Sequence, residues 1–154
     1  MLERLLLLKE IPLSPDFGRL LLRVSVFSML FYRHGVEKLF TFHSMTQVFL
    51  SKDLDPVHIG PIPSLIIATI SDGICTLLIV AGLATRWAAL FLFGNLFVVW
   101  AILGHFAMKA GNSEALIVYM GACLTIFFLG AGKISIDALI ERASQKNQAQ
   151  ENEA

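Results

Sequence analysis

The chain has 154 residues, enough for one domain. Hydrophobic residues make up 56% and charged residues 16%, against about 25% charged in soluble domains, so the polar surface needed to face water on every side is missing. The formal net charge of +0 excludes the basic field that a nucleic-acid partner would demand.

Residues 1–13 are expected to form an amphipathic segment at the membrane surface. Their apolar stretch Leu5–Leu8 is too short for the ~7–15-residue core of a secretory signal. Ser14-Pro15-Asp16 then opens a helix: Ser14 caps, Pro15 suits the first helical position, and Asp16 meets the positive helix end. The first span runs from about Phe17 to Tyr32. It is the least apolar of four, because Arg19 and Arg23 lie in its first turns. Residues 33–62 read as the longest connection, broken by Pro56, Gly60, Pro61 and Pro63. The second span is about Ser64–Ala84 and holds Asp72. A short turn at Thr85-Arg86 leads to the third, Trp87–Gly104, whose only strongly polar residue is Asn95. The loop His105–Ser113 precedes the fourth span, Glu114–Ala131, which Gly130 and Gly132 end. Ser135 caps a brief surface helix, Ile136–Ala143, and the polar tail from Ser144 is expected to be disordered. The predicted fold is an all-α integral membrane four-helix bundle, with residues 14–134 as the membrane domain and 135–154 as surface helix and tail.

Four spans put both termini on one side. That side carries seven Lys and Arg against four on the other, so both termini are expected in the cytoplasm of a multi-pass protein of the cell (inner) membrane. His34, Lys38, His105 and Glu114 then fall on the outer side, and Asp72 and Asn95 near the bilayer centre. Arg23, His34 and Lys38 share one helical face and form a polar stripe expected to face the interior. A carboxylate at mid-membrane costs about 2.5–3.5 kcal/mol, so Asp72 needs a partner. Arg23, in the inner half of its span and about a long side chain's reach from Asp72 in depth, is the candidate for a buried ion pair with it. That pair reads equally as a ligand or proton site and as a packing device. His105 and Glu114 bracket one loop and are candidates for a proton-exchanging pair. Helix-start chemistry explains Glu114 as well, and Lys38 has an ordinary reading as an interface anchor. No two histidines share an i, i+4 spacing and no cysteine joins them, so no metal site is expected. Cys75 and Cys123 read as buried free thiols. No haem, flavin or iron–sulfur motif is visible.

The run Arg23…Arg33-His34-Gly35-Val36-Glu37-Lys38-Leu39-Phe40 resembles the opening of the DoxX/DoxD family of small membrane proteins. Gly82-Leu83-Ala84-Thr85-Arg86-Trp87-Ala88-Ala89 looks like that family's hairpin between spans two and three. His105, Glu114 and Gly130-Ala131-Gly132-Lys133-Ile134-Ser135-Ile136-Asp137 complete the likeness, which covers about residues 17–140. One departure stands out. The family usually carries a glutamate followed by glycines in span two, where this chain has Asp72-Gly73. The resemblance implies a four-helix membrane protein linked to respiratory or redox chemistry. Family members have been described as small subunits of quinone-coupled oxidoreductases.

The leading expectation is a small subunit or partner of a quinone-linked redox complex, with His34, Lys38, Asp72, His105 and Glu114 as ligand and proton-site candidates and quinone as the cofactor. The electron donor would lie in a protein partner. The alternatives are a non-catalytic membrane anchor or assembly factor and, behind it, a small-solute or proton transporter, which could need a homo-oligomer to form a pore. Whether the chain is itself catalytic is not legible from its residues.

Overall fold

A computed structural model describes residues 15–51, 55–56, 58–103 and 113–153. The N-terminal segment 1–13, Ser14 and His105 lie outside them. The described chain is helical and contains no strand. Helix α1 covers residues 15–40 and includes two wide π-helical turns, Arg23–Phe27 and Phe31–Gly35. Helix α2 is Phe42–Ser51. Helix α3 is Pro61–Ala81, with a wide turn at Ile70–Cys75. Helix α4 covers residues 85–103 and ends in a wide turn, Val99–Leu103. Helices α5 and α6 are Ser113–Leu129 and Ile136–Glu153.

The structure departs from expectation in two elements. The segment expected as connection from residue 33 is helical as far as Ser51, apart from a bend at Thr41. Breakers begin only at Pro56, and nothing in His34–Phe40 opposes a helix except Gly35, which a helix tolerates at about 1 kcal/mol. The tail expected to be disordered continues α6 to Glu153. Its Gln, Glu, Lys and Ala residues are strong helix formers, and helix propensity rather than hydropathy decides there.

Helix α1 packs on α3 and α5, and α4 packs on both, so the four close a ring. Phe27 and Leu30 of α1, Ile79 of α3, Leu92 and Leu96 of α4 and Ile126 of α5 fill one shared core. Cys75 and Cys123 lie in the same core as unbonded thiols. The outer surface is apolar: Tyr32, Phe40, Trp87 and Phe128 are each more than 70% exposed. Arg23, Asp72, Ser71, Thr76 and Thr85 are buried instead. A soluble fold places these classes the other way round, because water rewards exposed charge; a lipid solvent rewards this arrangement. Among the described residues two helices, Pro61–Ala81 and Thr85–Ile102, are long and apolar enough to cross a membrane.

The α3–α4 turn is built tightly. Gly82 ends α3 in the left-handed region (φ +77°), and the N–H of Leu83 reaches back to the carbonyl of Leu78 at 2.9 Å. Ala84 also adopts a positive φ (47°), which disfavours a residue with a Cβ. The Asp137 carboxylate offsets that strain by accepting the Ala84 N–H at 2.8 Å, the Thr85 N–H at 3.2 Å and the Thr85 hydroxyl at 3.1 Å.

Candidate functional site

Asp72 sits on the wide turn of α3, 4% exposed. Its Oδ2 accepts the Lys38 ammonium of α1 in an ion pair, and its Oδ1 accepts the Asn95 side-chain amide of α4 at 3.2 Å. Three helices thus converge on one carboxylate. A lone pair of charges in low dielectric repays its desolvation only when the remaining lone pairs are also bonded, and Asn95 supplies that bond.

Close helix approach makes the meeting possible. A Cβ added to Gly35 would stand 2.5 Å from the Asp72 carbonyl oxygen, and one added to Gly73 would stand 2.9 Å from the Leu39 side chain. The wide turn Phe31–Gly35 of α1 and the wide turn Ile70–Cys75 of α3 pack against each other at this point. Such turns are frequent where a side chain must be aimed out of strict helical register. Replacing Gly35 by Ala should push α1 off α3 and separate Lys38 from Asp72. A loss of about 1–3 kcal/mol is expected in denaturation from mixed micelles, and an unchanged midpoint would show that the approach is not tight.

The expected Arg23–Asp72 pair is corrected by the structure, which gives each a different partner. Arg23, 1% exposed, donates through Nη1 to the Ala131 carbonyl and through Nη2 to the Ile134 carbonyl at 2.8 Å. The depth argument placed Arg23 within reach of Asp72. The orphan carbonyls beyond the end of α5 claim it instead, and a planar guanidinium spans two of them at once. Asp16 adds to this end of the molecule by accepting the Lys133 N–H and an Arg19 N–H, each at 3.1 Å. The segment 130–137 and the hairpin 82–89, which stood out in the sequence, therefore form one interlocked structure around Arg23 and Asp137.

His34 is half-buried one turn before Lys38 and lies within the electrostatic reach of Asp72 and Lys38. Glu114 is exposed in the first turn of α5, with no hydrogen bond or ion pair among the described residues. His105, the fourth member of the expected outer cluster, is not among the described residues. The structure thus brings Lys38 to Asp72 and leaves Glu114 apart. It also adds Asn95, absent from the expected set although it is the only strongly polar residue of an apolar span at the depth of Asp72.

An open groove of about 350 Å³ runs between α3 and α4, lined by Ser64 and Ile67 on one side and Phe91, Gly94, Asn95 and Val98 on the other. Pro56 and Ile59 close its end. Its walls are almost wholly apolar, with the Asn95 amide as the polar link to Asp72.

Asp55 fixes that closed end. Its carboxylate accepts the Gly60 N–H at 2.6 Å, the Ile59 N–H at 3.1 Å and the Ser64 hydroxyl at 2.8 Å. Desolvation pushes its carboxyl upward, but the Gly60, Ser64 and Ile59 hydrogen bonds, with a smaller contribution from His58, together hold it below the ordinary value of 3.8. Folding therefore favours the ionised form. The stabilisation is fully present above the unfolded value and is lost as pH falls through the lowered folded one. Hydrogen-exchange protection of the Ile59 and Gly60 amides should be steady between about pH 8 and pH 5 and fall away below about pH 4. Asp55→Ala should lose it at every pH; protection that survives in this variant would assign the loop's order to something else.

The family model for DoxX matches residues 18–105, more than half of the chain. No curated protein and no solved structure matches it. The matched region contains α3, α4 and all of α1 but its first three residues, the helices that hold Asp72, Asn95 and Lys38. With a family match of that extent, an apolar exterior and helices long enough to cross a bilayer, the chain belongs to the DoxX family and is a membrane protein of that family.

Proposed function

We propose that this protein is a small subunit or partner of a quinone-linked redox complex, and that the groove between α3 and α4 takes the quinone. The observation that carries the reading is the placement of Asn95. It lines an apolar groove and at the same time donates to the carboxylate of a buried ion pair. A quinone asks a protein for two things: a slot for an apolar ring and tail, and donors for its carbonyl oxygens beside a group that handles protons. Asn95 offers the groove an amide, and the Asp72 carboxylate with its Lys38 ammonium stands behind it as the group that handles protons. A bound quinone would supply two-electron, two-proton redox chemistry, with electrons delivered by the protein partner. Asn95 would orient the head group through its amide. Asp72 and Lys38 would hold and move a proton at the Asp72 carboxylate, and His34 stands within electrostatic reach of both.

In this reading α1, α3, α4 and α5 are four membrane spans of the cell membrane, with both termini in the cytoplasm as the Lys and Arg asymmetry favours. The decisive preparation is gently purified protein, with its lipid extract and co-purifying polypeptides compared between the native chain and Asn95→Leu. Quinone at near-stoichiometric level in the native protein, reduced at least about fivefold in the variant, is expected. A stoichiometric protein partner with no quinone in either preparation would replace this reading with that of a membrane anchor or assembly factor.

A further inference from the structure

The interlocked end of the bundle contains a second cavity, unrelated to the groove beside Asn95. It is an open cleft of about 570 Å³ between the first turn of α1, the first turn of α4, the 130–135 turn and the start of α6. Three acids lie on its wall, and two of them are already engaged. Asp16 is bonded to Arg19 and to the Lys133 N–H. Asp137 is bonded to the Ala84 and Thr85 N–H groups and the Thr85 hydroxyl. The side-chain cations of Arg86 and Lys133 have no hydrogen-bond or ion-pair partner among the described residues, and Glu141 is the one wall acid without one among them. The Arg86 guanidinium lies over Gly130, where an added Cβ would stand 3.4 Å from Nη2. The lack of a side chain there leaves the fork room to face the cavity. Trp87 and Leu129 share the rim, 77% and 47% exposed on the apolar outer surface.

We infer that this cavity holds the phosphodiester of a membrane phospholipid with net negative charge, with Arg86 and Lys133 on the phosphate oxygens and Trp87 and Leu129 against the start of the acyl chains. Arg meets phosphate through two parallel N–H donors, and Lys adds a point charge. Tryptophan concentrates at the level of lipid head groups, and basic pockets between membrane helices bind anionic lipid. A phospholipid and a soluble phosphate ester share this chemistry; the apolar rim favours the lipid, since a free phosphate has no use for it. The inference does not depend on the quinone reading.

Native mass spectrometry of the full chain in detergent tests it, with phosphatidylglycerol and phosphatidylcholine of equal chain length as probes. Phosphatidylglycerol should bind about tenfold more tightly to the native protein. Arg86→Gln and Lys133→Gln should each bring the two lipids within about threefold of one another, with helix content and melting temperature retained. Lys133 is exposed, so its variant keeps the test open should Arg86→Gln misfold. Equal binding of both lipids by the native protein, or an undiminished preference in the folded variants, would overturn the inference. Displacement of the lipid by millimolar glycerol 1-phosphate would also overturn it, by showing a site for soluble phosphate that ignores the acyl chains.

Discussion

Replacing Asp72 by Ala is expected to cost on the order of 3 kcal/mol in denaturation from mixed micelles, because Lys38 and the Asn95 amide lose their shared acceptor in a low-dielectric interior. The Lys38 side chain is 19% exposed, so part of its charge can be relieved toward the outside, and the figure sits at the low end for a broken buried pair. Lys38→Met alone should cost a similar amount, since it leaves the carboxylate uncompensated. The double change Lys38→Met with Asp72→Leu should recover most of the loss, as apolar groups of similar size often replace a buried pair at little cost. Strictly additive losses would show that the two charges are not partners.

Arg23→Met is expected to be at least as damaging, on the order of 3–5 kcal/mol. It strips two carbonyls of charged hydrogen bonds worth about 1.5–3 kcal/mol each. Arg23→Lys should rescue little, since one ammonium cannot reproduce a planar fork that reaches the Ala131 and Ile134 carbonyls together. Arg23 and Asp72 share no hydrogen-bond partner among the described residues, so losses from Arg23→Met and Asp72→Ala should add. Suppression of one by the other would restore the ion pair that the sequence suggested. The measurement is the same denaturation midpoint, with Asp137→Ala as a companion. That variant should loosen the same end, because it frees the Ala84 and Thr85 N–H groups and leaves the Ala84 strain without its hydrogen bond.

Much of this architecture was legible in the residues, and the failures are instructive. Hydropathy located α3 and α4 closely, because their apolar runs are bounded by breakers: Gly60-Pro61 before one and Gly82 between the two. It misjudged α1 and α6, where polar residues continue a helix that only propensity could have extended. It also recognised that Asp72 must have a partner, since the cost of a buried carboxylate is a matter of elementary electrostatics. It did not choose the right cation. Depth favoured Arg23, while Lys38 on the same helical face was placed on the outer side; the choice was decided by carbonyls at the end of α5, whose position is set by the folded chain. The motif 130–137 carried no chemistry as a string. In the structure it is the counterpart of the 82–89 hairpin, joined through Arg23 and Asp137. Asn95 was visible as an isolated polar residue, but its significance depends on the groove that α3 and α4 create beside it. Gly35 and Gly73 likewise mean nothing until two helices approach at that point.

The claim that the Asn95 groove is a quinone site is tested most directly by photolabelling the membrane-embedded protein with an azido-quinone and mapping the adducts by peptide sequencing. Labelling is expected on residues of α3 and α4 that line the groove, among them Ile67, Phe91 and Val98. It should be displaced by excess unlabelled quinone and depressed in Asn95→Leu. Adducts scattered over the lipid-facing surface and indifferent to competitor, or concentrated away from this groove, would contradict it.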